Sequence, residues 1–213
     1  MANKPKQMES EDTGERLIAA AKLIFAEKGF AGATVKEIAD EAGVNVSLIS
    51  YHFKGKEGLL RACVEKFGRE RLQESETILT APENRDDLKA KLKLWMGVFL
   101  RCHVEDKSVC TILHRENIME NKYLYELFQS TFVKTFEAME KFFEFARKKG
   151  ILRKEVDPST VSHMIFGFMV HMGRNQEGMK KTRGVSIADD KFRTQVAEQA
   201  ISILLHGVLR EAA

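Results

Sequence analysis

The polar side chains best placed to do chemistry in this 213-residue chain fall in one short stretch, between residues 43 and 61. Hydroxyl groups at Ser47 and Ser50 stand beside an aromatic–histidine pair, Tyr51 and His52. The charged residues of the stretch are Lys54, Lys56, Arg61 and a single acid, Glu57. Because hydroxyls suit base edges and basic groups suit phosphate oxygens, the stretch has the chemistry of a nucleic-acid contact.

The net charge of the whole chain, +3, adds little to this interpretation. Residues 1–60 hold eight Lys and Arg against nine Asp and Glu, whereas residues 61–213 hold 26 against 22. The N-terminal part is therefore slightly acidic, and the electrostatic case for a nucleic-acid contact depends on where the basic residues stand.

Two predicted helices precede the polar stretch. The first has apolar residues at helical spacing, with Thr13 as its expected N-cap and Gly29 as its stop. The second opens with a capping box, in which Thr34 and Glu37 each satisfy a backbone group of the other, and it runs to about Ala42.

A tight turn then leads into a short third helix. Gly43 can adopt the left-handed conformation, and Asn45 suits the cap of a helix from about Val46 to Phe53. Lys54–Gly55 interrupts that helix. Two short helices joined by a glycine-containing turn, behind a longer helix, form a helix-turn-helix.

The third helix is expected to read DNA through small side chains. Val46, Ser47 and Ser50 lie on the side that would approach base edges. Arg and Asn, the usual readers of guanine and adenine, are absent from the centre of the helix. Sequence discrimination would therefore rest on hydroxyl groups, methyl contacts to thymine and DNA shape.

The composition favours an all-α protein. Only three Pro and 14 Gly interrupt a chain rich in helix-forming residues. The three cysteines lack a CxxC pair, so neither a disulfide framework nor a zinc finger is indicated. The N-terminal stretch lacks the apolar segment of a signal peptide and no apolar run could span a bilayer, so we expect a cytoplasmic protein without a membrane partner.

Beyond residue 53, apolar periodicity predicts six further helices, giving about nine in total. They are expected at residues 56 to about 80, 84–104, 108–119, 122–149, 157–175 and 188–209. A stretch rich in Lys, Arg and Gly, residues 178–186, is predicted to be a mobile loop.

The helix predicted over residues 122–149 carries more apolar side chains than one stripe needs. With the preceding helices, it suggests a pocket for a mainly apolar or aromatic small molecule. The candidate lining residues are Trp95, Phe99, His114, Phe128, Phe132 and Phe136. The alternative is that these aromatic side chains fill the core completely.

The last two predicted helices are apolar although they are terminal in the chain. Their apolar residues include Met164, Ile165, Met169, Ile203 and Leu204. We expect these two helices to pair with those of a second copy in a four-helix interface of a homodimer.

The residue types raise two other kinds of site, a metal or thiol site and an enzyme active site. Cys102, His103, Cys110 and His114 raise a metal or thiol hypothesis, but their spacing is not diagnostic, and buried cysteines with hydrogen-bonded histidines are the simpler interpretation. No phosphate loop, GxSxG or HExxH motif occurs. We expect no catalytic residue, metal or cofactor. A helical enzyme and a ligand-free dimeric adaptor remain the alternatives. A DNA shift assay distinguishes a regulator from both.

The stretch from Leu17 to Leu60 resembles the tetracycline-repressor (TetR) family of bacterial regulators. The most specific matches are KGF at residues 28–30, TVKEIA at 34–39 and YHFKGKEGL at 51–59. The chain departs from the family at Ser50, where an aromatic residue is usual.

The resemblance implies a transcription regulator, with double-stranded operator DNA and a small-molecule effector as partners. It assigns phosphate contacts to Thr34, Tyr51, His52 and Lys56, with Lys54 as a further candidate. The expected organisation is a flexible tail over residues 1–12, a DNA-binding domain over 13–58 and a ligand-binding and dimerisation domain over 59–213.

Overall fold

A computed structural model describes residues 4–116 and 123–208, and within these residues the chain forms helices and no strand. The predicted all-α fold is therefore confirmed. The helices are α1 (Lys4–Gly32), α2 (Val35–Ala42), α3 (Ser47–Phe53), α4 (Lys56–Ile78), α5 (Arg85–Glu105), α6 (Lys107–Arg115), α7 (Tyr125–Phe128), α8 (Lys134–Lys148), α9 (Pro158–Arg174), α10 (Gln176–Arg183) and α11 (Asp190–Val208). A π-helical segment, Gln129–Val133, connects α7 to α8.

The helix-turn-helix forms where the sequence predicts it. The capping box at Thr34 and Glu37 starts α2, and Gly43 ends that helix in the left-handed conformation at φ 63°. Asn45 caps α3, because its side-chain oxygen accepts the backbone N–H of Ser47 at 2.9 Å. These local signals fix the two helices before any long-range packing is considered.

Three features of the backbone differ from the sequence expectations. α1 begins at Lys4, so the predicted cap at Thr13 was wrong, and residues 4–12 of the expected tail are helical. The expected loop at residues 178–186 was also wrong, since α10 covers most of it and ends at Gly184 with φ 66°. Lys122, the predicted start of the long helix, lies outside the described residues, and that helix contains the π-helical segment.

The chain forms two compact units. Unit 1 comprises residues up to 69 together with 107–129, and unit 2 comprises residues 70–106 and 130 onward. The helix-turn-helix therefore shares its unit with α6, which follows it by more than fifty residues in the sequence.

Within unit 1, α6 supports the C-terminal end of α1. Arg115 donates to the carbonyl oxygens of Glu27 at 2.6 Å and Ala26 at 3.3 Å, and Glu116 accepts the backbone N–H of Phe30 at 2.8 Å. Gly29, at φ 73°, interrupts the helical backbone between these contacts. The side chains from α6 thus satisfy backbone groups that the break in α1 leaves without helical partners.

Unit 2 has a continuous apolar core from α5, α8, α9 and α11. Its largest fully buried side chains include Trp95, Phe142 and Phe143. Trp95 is also the only tryptophan of the chain, and its indole N–H donates to the buried Ser75 hydroxyl at 2.8 Å.

Gly58 permits the close approach between the end of α3 and the start of α4. A Cβ atom added there would lie 1.8 Å from the carbonyl oxygen of Phe53, a backbone atom. We predict that Gly58→Ala lowers the free energy of unfolding by about 2 kcal/mol, because the backbone must shift to relieve the overlap. Urea denaturation of the purified protein measures this change.

Gly97→Ala provides the matched control. Gly97 lies inside α5 with no atom within 4 Å of an added Cβ, so the same substitution should stabilise the protein by about 0.5–1 kcal/mol. Equal effects of the two substitutions would contradict the role assigned to Gly58.

Candidate functional site

α3 presents its predicted contact residues on one exposed face. Tyr51 is 76% exposed and Val46 is 44% exposed, while Ser47 and Ser50 are exposed beside them. Ile49 points the other way and is buried. An apolar side chain as large as Tyr51 on an open, otherwise polar helix face is typical of a contact surface.

The hydroxyl of Ser47 is already engaged within the chain. It donates to the side-chain oxygen of Asn45 at 2.8 Å. Ser47 therefore keeps its acceptor capacity toward a base, while its hydroxyl proton is used in the cap. A group that Ser47 meets on DNA would have to be a donor, such as the amino group of cytosine or adenine.

Lys54 ends α3 in a conformation that is unusual for its side chain. Its φ is 60°, and among the described residues it is the only non-glycine residue with a positive φ. Its backbone N–H donates to the carbonyl oxygen of Ser50 at 3.1 Å. The cap keeps the exposed Lys54 side chain at the C-terminal end of the recognition helix, where a cation is favourable.

Lys56 is held more firmly than the sequence suggested. Its ammonium donates to the carbonyl oxygen of Ala33 at 2.8 Å and lies 4.5 Å above the centroid of the Phe30 ring. One of its three donors is therefore used in the fold. Lys56 joins the start of α4 to the segment between α1 and α2.

Thr34 is exposed but fully engaged in its cap. Its hydroxyl donates to the carboxylate of Glu37 at 2.8 Å and accepts the backbone N–H of that residue at 3.2 Å. Glu37 also pairs with Lys28 at 2.6 Å. The Lys28 ammonium, followed by the Thr34 hydroxyl and N–H, lowers the pKa of Glu37 to about 2. The stability that Glu37 contributes is thus present above its unfolded pKa and lost as the pH falls toward 2.

His52 lies at the edge of the same surface. Its ring is half-buried, 5.0 Å from the Tyr51 ring in an edge-on arrangement and 5.9 Å from the ring of Phe53. Tyr51 and His52 therefore form one aromatic edge beside Lys54.

A second candidate site is the aromatic cluster of unit 2, formed by Trp95, Phe99, Phe136 and Phe166. The Phe166 ring lies 5.1 Å from Trp95, 5.2 Å from Phe136 and 5.8 Å from Phe99. Trp95 is buried, but the three phenylalanine rings are only half-buried. Partly covered rings that face one another are suited to bind an apolar or aromatic group.

Three members of this cluster were predicted from the sequence, but the residue at its centre was not. Trp95, Phe99 and Phe136 were predicted, whereas Phe166 was not, because α9 was assigned as a whole to the dimer interface. Phe132 lies in the same unit on the π-helical segment. His114 and Phe128 are half-buried in unit 1.

α9 and α11 leave apolar side chains uncovered. Ile203 is 76% exposed, Met164 is 54% exposed and Val170 is 37% exposed. These residues stand on the two helices predicted to mediate dimerisation. No helix among the described residues is long and apolar enough to cross a membrane.

Two family models match the chain and together cover both units. The model described as "Bacterial regulatory proteins, tetR family" matches residues 17–63. The model described as "Tetracyclin repressor-like, C-terminal domain" matches residues 89–204, which is more than half of the chain.

Individual relatives agree with these matches. "Probable HTH-type transcriptional regulator YttP" of Bacillus subtilis (strain 168) is 32% identical over 124 residues, which cover 57% of this chain and 58% of that protein. The chain thus spans less than two thirds of the length of this curated relative.

Solved structures share the fold over nearly the whole chain. FadR of Bacillus subtilis, solved in complex with stearoyl-CoA, has a TM-score of 0.72 at 18% identity, covering 91% of this chain and 98% of that one. SmeT, the repressor of the Stenotrophomonas maltophilia multidrug efflux pump SmeDEF, has a TM-score of 0.67 at 24% identity, covering 94% of each chain. SmeT has also been solved with triclosan. At these identities the similarity establishes the fold.

The left-handed conformation of Lys54 gives a test of how α3 ends. We predict that Lys54→Gly raises the free energy of unfolding by about 1 kcal/mol, because glycine adopts this φ without the steric cost of a Cβ atom. Thermal or urea denaturation measures the change.

Lys36→Gly is the control, since Lys36 is an exposed residue inside α2. There the substitution should destabilise the protein by about 0.5–1 kcal/mol. A loss of stability in both variants would show that the cap at Lys54 is not strained.

Proposed function

Because the chain belongs to the tetracycline-repressor family of bacterial regulatory proteins, we propose that it is a transcription regulator whose α3 binds operator DNA and whose aromatic cluster binds a mainly apolar effector. The effector releases the DNA. The family membership argues against the enzyme alternative, since the matched models describe regulators.

The exposed face of α3 is the observation that carries the DNA-binding part. Tyr51 and Val46 stand open beside two serines, at the exposed side of a capped helix-turn-helix. Lys54 and His52 flank that face at its C-terminal end. The arrangement places small groups for base edges between larger groups suited to phosphates.

The exposed apolar residues of α9 and α11 support a homodimer. Covering Ile203 and Met164 by a second copy removes apolar surface from water and places two recognition helices around a two-fold axis. The operator should then be a palindrome with half-sites about 34–36 Å apart or more.

The effector class rests on the aromatic cluster. Half-buried rings at Phe99, Phe136 and Phe166 offer apolar surface to a ligand. The structural relatives FadR and SmeT, solved with stearoyl-CoA and triclosan, also hold ligands with large apolar parts. A difference of about 1–3 kcal/mol in effector affinity between two arrangements of the protein would weaken DNA binding 5- to 150-fold.

Footprinting on the DNA upstream of its own gene tests the regulator. We predict protection with two-fold symmetry and a salt-dependent affinity. Lys56→Ala should weaken binding to all sequences and lower the salt slope by about one unit per chain, because one phosphate contact is lost. Ser50→Ala should instead change the sequence preference.

The control for Lys56 is Lys141→Ala, an exposed lysine on α8 that should leave the salt slope unchanged. Since Lys56 also donates to Ala33, the slope is compared at a temperature where both variants are folded. Protection without symmetry, or the same slope in both variants, would contradict the assigned surface.

Trp95 reports directly on the proposed effector site, because it is the only tryptophan and lies in the cluster. We predict that triclosan or stearoyl-CoA changes its fluorescence at saturating concentration. Phe166→Ala should weaken that binding about tenfold or more through lost ring contacts and apolar surface, a change of about 1.4 kcal/mol.

Phe145→Ala is the matched control, since Phe145 is 43% exposed on α8 and outside the cluster. It should leave the fluorescence titration unchanged. A titration that is flat for the unaltered protein with both probes would exclude these ligand classes, and equal weakening by both variants would place the binding elsewhere.

A further inference from the structure

A buried polar cluster adjoins the aromatic cluster within unit 2. Cys102 and His103 are 2% and 5% exposed, and the Sγ of Cys102 lies 3.6 Å from Nδ1 of His103. Arg71, on α4, is near enough for its guanidinium and the Cys102 side chain to interact electrostatically. The His103 ring lies 5.1 Å from the ring of Phe99, so the thiol group stands beside the proposed effector site.

Cys63 shows what a purely structural thiol is like in this chain. It is fully buried in unit 1, where its Sγ faces the carbonyl oxygen of Ile18 at 3.8 Å. Burial raises the pKa of Cys63 to about 12, only partly opposed by Lys22. A thiol in such surroundings stays protonated and unreactive.

The surroundings of Cys102 differ in charge. Cys102 lies in the last turn of α5, where the helix dipole opposes a negative charge, so an anion there needs a nearby cation. Arg71 supplies that cation and also pairs with Glu74 at 2.8 Å. The Cys102 thiol donates to the carbonyl oxygen of Phe99 at 2.9 Å, and a guanidinium near the sulfur favours loss of that proton to give the thiolate.

His103 is held in position and is itself polarised. An added Cβ on Gly173 would lie 2.1 Å from Cδ2 of His103, so only glycine on α9 leaves room for the ring. Nδ1 of His103 also lies 3.0 Å from the carbonyl oxygen of Phe99. Burial lowers the pKa of His103, but Cys102 and the Phe99 carbonyl raise it more, and the net shift is upward.

Burying a guanidinium and an imidazole beside a thiol costs stability that an apolar core would not lose, and such arrangements concentrate at functional sites. We propose that Cys102, supported by Arg71 and His103, is a reactive thiol that takes small α,β-unsaturated aldehydes or ketones as covalent effectors. This inference rests on the proposed function only for its regulatory consequence.

The reaction needs no oxidant. The Cys102 thiolate attacks the β-carbon of the unsaturated carbonyl compound, so that an S–C bond forms and the carbon–carbon π bond breaks. The resulting enolate takes a proton at its α-carbon from the His103 imidazolium or from water. The net result is addition of S–H across the double bond.

Methyl vinyl ketone is a small probe for this reaction. The full-length protein is treated at neutral pH, and intact mass with peptide mapping gives the rate of modification at each cysteine. We expect Cys102 to react faster than Cys63, about tenfold or more, with Cys102→Ser losing the fast adduct and Cys63→Ser keeping it. A Cys102 that reacts no faster than Cys63, or only in denaturant, overturns the proposal.

The pH dependence of the modification rate distinguishes a Cys102 thiol activated by Arg71 from one that is only packed in the core. Arg71→Met should slow modification of Cys102 about tenfold near pH 7, because the thiolate loses its neighbouring cation, and Arg71→Lys should recover most of the rate. If Arg71→Met fails to fold, His103→Gln provides the second comparison. An unchanged pH–rate profile in every folded variant overturns the activating role.

Two further measurements test whether Cys102 is a metal ligand and whether its adduct changes DNA binding. Zn²⁺ at stoichiometric concentration should not protect Cys102, and protection would identify a metal ligand and overturn the thiol-sensor proposal. The adduct should weaken DNA binding in the unaltered protein but not in Cys102→Ser, and an adduct without that effect overturns its role as an effector. Fast modification of a protein that never binds DNA supports the thiol site while overturning the proposed function.

Discussion

The support that α6 gives to the end of α1 is the constraint on which unit 1 depends. The helical backbone of α1 is interrupted at Gly29, and the groups exposed there are satisfied by Arg115 and Glu116. α2 then starts from its own capping box, tied back to α1 by the Lys28–Glu37 pair. The recognition helix therefore stands on a scaffold that includes a helix from a distant part of the sequence.

That scaffold positions the exposed face of α3. A seven-residue helix is too short to be stable alone, so its position is set by Ile49 packing inward, by the cap at Lys54 and by the close approach at Gly58. Each of these features holds the backbone and leaves Ser50 and Tyr51 free to face a partner. This exposed face is the surface to which we assign the proposed DNA contact.

The parts of the fold governed by local rules could be predicted from the sequence. The capping box at Thr34, the turn at Gly43 and the cap of α5 at Asn84 are set by residues within a few positions of each other. The π-helical segment and the early start of α1 could not, since no nearby residue marks them; α10 was missed although Gly184 and the basic residues before it mark its end. Phe166 was missed for a similar reason: the periodicity of α9 shows that the helix is apolar on several sides, but not which side meets Trp95.

The boundary between the two units passes through continuous helices. α4 has residues 56–69 in unit 1 and the remainder in unit 2, and the boundary after residue 129 falls within the π-helical segment. Arg71 stands just beyond the first of these points, and Phe132 and Phe136 follow the second. A ligand or adduct that changes the packing of α4 or of this helical run in unit 2 therefore acts on helices whose other ends belong to unit 1.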